Sequence, residues 1–130
     1  MEWMVVTDAS QAPALRALTE RGEADCRHNV FINEGDTVYL FGKEEGCVLC
    51  KCLVTAEGVA PEAALKPVIQ PVTDANNREN TPHHMRLKLL RSFPAGALPL
   101  QALLEHGLPN VEGSTMIRPA LLAYLQAAEG

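Results

Sequence analysis

The chain has 130 residues, 47% of them hydrophobic and 21% charged, with a formal net charge of −5. That length and balance suit one soluble domain spanning residues 1–130, with a core large enough to need no metal or disulfide staples. The acidic balance excludes binding through a generally basic surface while leaving room for a local basic face. No apolar run reaches the roughly 18 residues needed to cross a bilayer.

The opening MEWMVVTDAS has no basic stretch before its short apolar run, unlike a secretory signal. The chain's four cysteines are not spaced as a disulfide framework, so a reducing, cytoplasmic setting is expected. Trp3 to Thr7 reads as a first strand. Asp8-Ala9-Ser10 then starts a helix over Gln11 to Arg21, where Pro13 falls in the tolerated first turn. Ala14, Leu15 and Leu18 form its apolar stripe and Gly22 its left-handed cap. Glu23 to Asn33 reads as irregular, a polar cluster Arg27-His28-Asn29 followed by the apolar anchor Val30-Phe31-Ile32.

Asn33 to Ala56 carries the clearest signal. A Glu34-Gly35-Asp36 turn feeds the strand TVYLF, and GKEEG joins it to the strand CVLCKCLVT, a hairpin of β-branched and aromatic residues. Strict alternation puts Val48, Cys50, Cys52, Val54 and Ala56 on one face. Glu57 to Pro82 is punctuated by Pro61, Pro67, Pro71 and Pro82, so Leu65 to Val72 can be extended only as an edge. Met85 to Phe93 alternates again, with Met85, Leu87 and Leu89 inward and Arg86 and Lys88 outward. Two short helices close the chain, Pro99 to His106 before Gly107 and Arg118 to Ala128 with Pro119 in its first turn. The layout predicts an α+β domain, a partly closed mixed β-barrel with peripheral helices.

Several residues invite chemistry. Zinc asks for four tetrahedral ligands, usually a CxxC pair and a second pair elsewhere. Cys50 and Cys52 instead share a strand face with valines, and Cys26, His28, His83 and His84 make no second knuckle. Core cysteines are expected, with no metal and no cofactor. His83-His84 reads as a solvent-facing strand entry, and His106 as a partner for a helix C-terminus. Lys51, Arg86, Lys88 and Arg91 form either a solvated basic edge or a track for phosphates. Trp3 is either a core anchor or a stacking platform. Arg27-His28-Asn29 lines a concave end or is a surface loop. A Cys26 nucleophile activated by His28 lacks a third, orienting group.

Three segments carry a family resemblance: Cys26 to Phe41 (CRHNVFINEGDTVYLF), Cys50 to Thr55 (CKCLVT), and the tail MRLKLLRSFPAGALPLQALLEHGLP followed by GSTMIRPALLAYL. Covering about half the chain, they resemble the EVE domain of the PUA-like superfamily, a relative of the YTH and ASCH domains. The likeness is to EVE-like modules at the front of modification-dependent restriction proteins. The resemblance implies a barrel pocket for a flipped, methylated or hydroxymethylated base, which must be stacked and read along its hydrogen-bonding edge. It places the pocket at Trp3, Thr7, Cys26, Arg27, His28, Asn29, Phe41 and Lys43. Cys26 stands where the family commonly has a tryptophan, a departure from the aromatic cage.

The expected function is therefore a non-catalytic reader of DNA or RNA, with any cleavage supplied by a separate nuclease subunit. Two alternatives stay open: an enzyme acting on a small molecule or nucleotide in the same pocket, and a protein-interaction module using the acidic loops.

Overall fold

The computed structural model describes residues 1–29, 31–72, 80–109 and 113–129, and for residues 28, 29 and 80–82 the strand backbone only. Nine strands and α-helices follow one another among these residues: β1 (Glu2–Thr7), α1 (Ala12–Arg21), β2 (Glu23–Asn29), β3 (Thr37–Gly42), β4 (Cys47–Val59), β5 (Asn80–Ser92), α2 (Leu100–Glu105), β6 (Thr115–Met116) and α3 (Pro119–Glu129). The strands form one sheet in the order β2-β5-β4-β3-β1-β6. β1 and β3 pair in parallel, and the other neighbours are antiparallel. The architecture is mixed α+β, as the pattern of elements predicts.

Local chemistry explains the start. Asp8 Oδ1 accepts the Ser10 N–H at 3.0 Å and opens a short 3-10 turn, Ala9–Gln11, that leads into α1. Gly22, at φ 82°, closes α1 by donating its N–H to Leu18 O at 2.8 Å.

β1 and β3 read as unbroken apolar runs because the sheet is covered on both sides there. Val5, Val38, Leu40, Cys50, Cys52 and Leu87 pack beneath α1 with its Ala14 and Leu18. Met4, Val6, Tyr39, Phe41 and Val48 face the other way, against Leu103 of α2 and Leu121 and Leu125 of α3. His106 joins those two helices by stacking on Tyr124, ring centroids 4.0 Å apart, while its Nδ1 lies 2.7 Å from Ala102 O.

Three sequence expectations are corrected. First, β4 does not keep one face from Val48 to Ala56. Leu40 pairs with Cys50 but Phe41 pairs with Val48, so Leu49 is an extra residue, a β-bulge that turns Val48 to the α2–α3 side. Second, Glu23–Asn29 is a strand, paired with β5. Ala24 and Cys26 enter the core, and Asp25, though charged, is fully buried because Arg86 meets it from β5. Third, β5 starts at Asn80 rather than Met85. The expected edge segment bears on β2: Ile69 donates its N–H to Asp25 O at 2.8 Å and accepts the Arg27 N–H at 3.0 Å. No described helix is long and apolar enough to cross a membrane.

Candidate functional site

The bulge at Leu49 and the turn before β4 shape a cleft of about 260 Å³ between α1 and the end of the β3–β4 hairpin. Ala12, Leu15, Arg16 and Thr19 come from α1, facing Glu45 and Leu49 of the hairpin, with Cys50 and Ser92 beside them. Gly42 makes this end possible. A β-carbon there would lie 2.6 Å from Glu45 Oε1 and 2.9 Å from Leu49 Cδ1. Gly42→Ala is expected to push both side chain ends aside at less than about 1 kcal/mol, because they are flexible. NMR shifts confined to Glu45, Leu49 and their cleft neighbours would show it. A loss of several kcal/mol would mean that the hairpin backbone itself cannot yield.

Cys50 Sγ lies 4.0 Å from Cys52 Sγ. The Cys50 contact and burial push the Cys52 thiol far above its usual range, and burial, helped by Asp25, does the same to Cys26. Both are held as thiols, poor nucleophiles and poor metal ligands. Among the described residues, no three His, Cys, Asp or Glu side chains are grouped to hold a metal.

The expected pocket residues do not converge. Phe41 pairs with Val48 near the start of β4, whereas Arg27 pairs with His84, and His84 with Val59 at the far end. Nearly the whole of that 13-residue strand lies between them; along β5 the stretch from His84 to Ser92, opposite Val59 and Cys50, is alone roughly 26 Å at ~3.3 Å per residue. Phe41 is 1% exposed in the α2–α3 core and has no face left to stack on a base; Cys26 is fully buried beneath α1. Thr7 is buried too, its hydroxyl donating to Phe41 O at 3.2 Å. Lys43 is exposed in the hairpin turn, its N–H bonded to Thr7 O at 2.8 Å, so it stands at the cleft end. Trp3 is half-buried against the α1-side core and donates its indole N–H to Asp36 Oδ2 at 3.0 Å. The side chains of His28 and Asn29 lie outside the described residues.

The four basic residues also part company. Arg86 grips Asp25 with both arms, Nε to Oδ1 at 2.9 Å and Nη2 to Oδ2 at 3.1 Å. Lys51 Nζ meets Glu129 Oε1 at 2.8 Å, and Arg91 donates to the Glu129 backbone carbonyl, so both anchor the end of α3. Lys88 stays exposed, opposite Glu23 in register. Three of the four are thus engaged within the protein and do not line up as a phosphate track. Sequence reasoning missed Arg16, Glu45, Leu49 and Ser92. The available signal was Gly42 before a charged turn, which marks a close approach of side chains.

No family model matches the sequence, and no curated protein matches it. Solved structures do match. A crystal structure of a protein from Pseudomonas putida superposes with a TM-score of 0.64 at 17% identity over 100% of both chains. One from Pseudomonas syringae gives 0.63 at 14% identity over 98% of each. ASCH from Zymomonas mobilis gives 0.60 at 13% identity, covering 97% of this chain and 94% of that one. At these identities the likeness shows the fold alone, and that fold is of the ASCH, PUA-like type.

Proposed function

We propose that this domain binds nucleic acid and takes one extruded base into the cleft between α1 and the β3–β4 hairpin. The cleft itself is the observation that carries the reading. Its volume of about 260 Å³ falls just below ordinary small-molecule sites and suits a single base. Leu15 and Leu49 offer apolar faces for the ring, while Arg16, Glu45, Thr19 and Ser92 supply donors and acceptors for its edge. A methyl substituent adds apolar surface for those leucines to cover, and the hydroxyl of a hydroxymethyl group would need one of the polar side chains beside them, so the cleft suits a modified base. The PUA-like fold and the sequence segments resembling EVE modules point the same way, and within a restriction system a separate nuclease would cut. Base reading then falls to the cleft residues rather than to Arg27, His28 and Asn29.

With a net charge of −5 and Arg16 the one cation among the described lining residues, few phosphates are neutralised. The salt dependence of log K is therefore expected to be shallow, a slope of about −1 to −2. The test is a titration of labelled oligonucleotides carrying a single methylated, hydroxymethylated or ordinary base, at two salt concentrations. Leu49→Trp, which fills the cleft, should weaken binding to the preferred oligonucleotide at least about tenfold, the loss of roughly 1.4 kcal/mol. Equal affinity for every oligonucleotide, or undiminished binding by Leu49→Trp, would remove the cleft from the reading.

A further inference from the structure

Among the described residues, two buried side-chain nitrogens have no hydrogen-bond partner, Arg27 Nε and His84 Nδ1. They belong to residues directly opposite one another on β2 and β5. Such cross-strand partners project from the same side of the sheet with β-carbons about 5 Å apart. Cys26 and Met85, the next pair along, enter the α1-side core, so Arg27 and His84 point to the other side.

The ladder contains its own comparison. Asp25 and Arg86 form the next pair on that side, and there a cation faces an anion. Asp25 takes both arms of Arg86 and the Leu65 N–H at 2.8 Å, and Arg27 Nε makes no bond to it. One step further the same geometry presents Arg27 Nε and His84 Nδ1, neither with a partner. An unsatisfied buried donor is costly and calls for an explanation. With the imidazole proton on Nδ1, both nitrogens are donors and one acceptor between them would satisfy the pair.

We infer that Arg27 and His84 form a binding site for a phosphate-type oxyanion, separate from the cleft. Arg27 grips it through Nε and a neighbouring Nη, the planar fork that matches two oxygens, and His84 donates from Nδ1 to a third. A tetrahedral anion offers the imidazole a third oxygen of its own, whereas on a planar carboxylate the fork and the imidazole would share two. Both residues are partly exposed, and rotation of the long arginine stem opens the fork to an incoming anion. The phosphate can come from a nucleic-acid backbone or from a free phosphate monoester. The inference holds whether or not the cleft takes a base.

The experiment follows the Arg27 Nε–H and His84 ring signals by NMR in the full chain. Inorganic phosphate is titrated to about 10 mM against chloride at matched ionic strength, then a short single-stranded oligonucleotide with and without a 5′ phosphate. Saturable shifts of both residues with phosphate but not chloride are expected. Arg27→Gln and Arg27→Lys should each weaken binding at least about tenfold, since both lose the fork. His84→Gln should weaken it less, and all three should keep the wild-type melting curve. Saturation by inorganic phosphate alone assigns the site to free phosphate, and saturation only by oligonucleotide assigns it to the backbone. Loss of oligonucleotide binding in Leu49→Trp with these shifts intact would touch the cleft reading alone. Absence of saturable shifts with every probe, or full affinity in Arg27→Lys, overturns the inference.

Discussion

Arg86→Met is expected to cost about 3–5 kcal/mol of folding stability, a large share of what a domain of this size has. The variant keeps the aliphatic stem and removes the charge that faces Asp25, which is fully buried. The carboxylate is then left with the Leu65 N–H at 2.8 Å as its remaining partner among those described. Removing the other side of the pair is milder. After Asp25→Ala, Arg86 can turn to water, because its side chain is already 30% exposed, and a loss of about 1–3 kcal/mol follows. The double variant Asp25→Leu/Arg86→Met should recover much of the single Arg86 loss, since an apolar pair replaces a stranded charge. Urea unfolding of the three proteins decides the matter. If Arg86→Met unfolds like the wild type and instead loses oligonucleotide affinity, Arg86 belongs to nucleic acid after all.

Asp36→Ala is expected to cost about 2–4 kcal/mol, because one carboxylate holds several donors. Its Oδ2 accepts the Trp3 indole N–H at 3.0 Å and the Asn33 N–H at 2.9 Å, and its Oδ1 meets the Met1 amino group at 3.2 Å. Burial alone would raise the carboxyl pKa, but these donors outweigh it and hold the group below its ordinary value. A lowered folded pKa means that the contribution is complete above the unfolded value near pH 4 and fades as pH falls through the folded one. The gap between wild type and Asp36→Ala should therefore be widest at neutral pH and narrow in acid. Melting curves from pH 7 to pH 2 would show a constant gap if the aspartate acted by shape alone.

The parts of the fold that were legible are those where neighbours in sequence decide the outcome. The hairpin turn, the Gly22 cap and the apolar stripes of the last two helices all depend on residues a few positions apart. β2 was not legible because nothing within EADCRHN says that Asp25 will be buried. Its partner, Arg86, lies 61 positions along the chain. The basic edge was misleading for the same reason. Lys51 and Arg91 look free in sequence, and Glu129 from the last helix claims both. Phe41 shows a third limit. Alternation places it on a face, but a strand covered on both sides has no outward face, and only the packing of α2 and α3 reveals that. The cleft owed its invisibility to the bulge at Leu49, an insertion set by register rather than by composition.

That same bulge divides the labour of β4. Upstream of it Val48 serves the layer that anchors the C-terminal helices, and downstream Cys50, Cys52 and Val54 serve the layer under α1. The two layers touch through the sheet's backbone, so side-chain changes on one side should combine additively with changes on the other. Leu15 and Leu49 could thus be exchanged to suit a different ligand while Leu103, Leu121 and Leu125 stay as they are. If the cleft takes a ligand as proposed, its selectivity can change on a scaffold that does not have to follow.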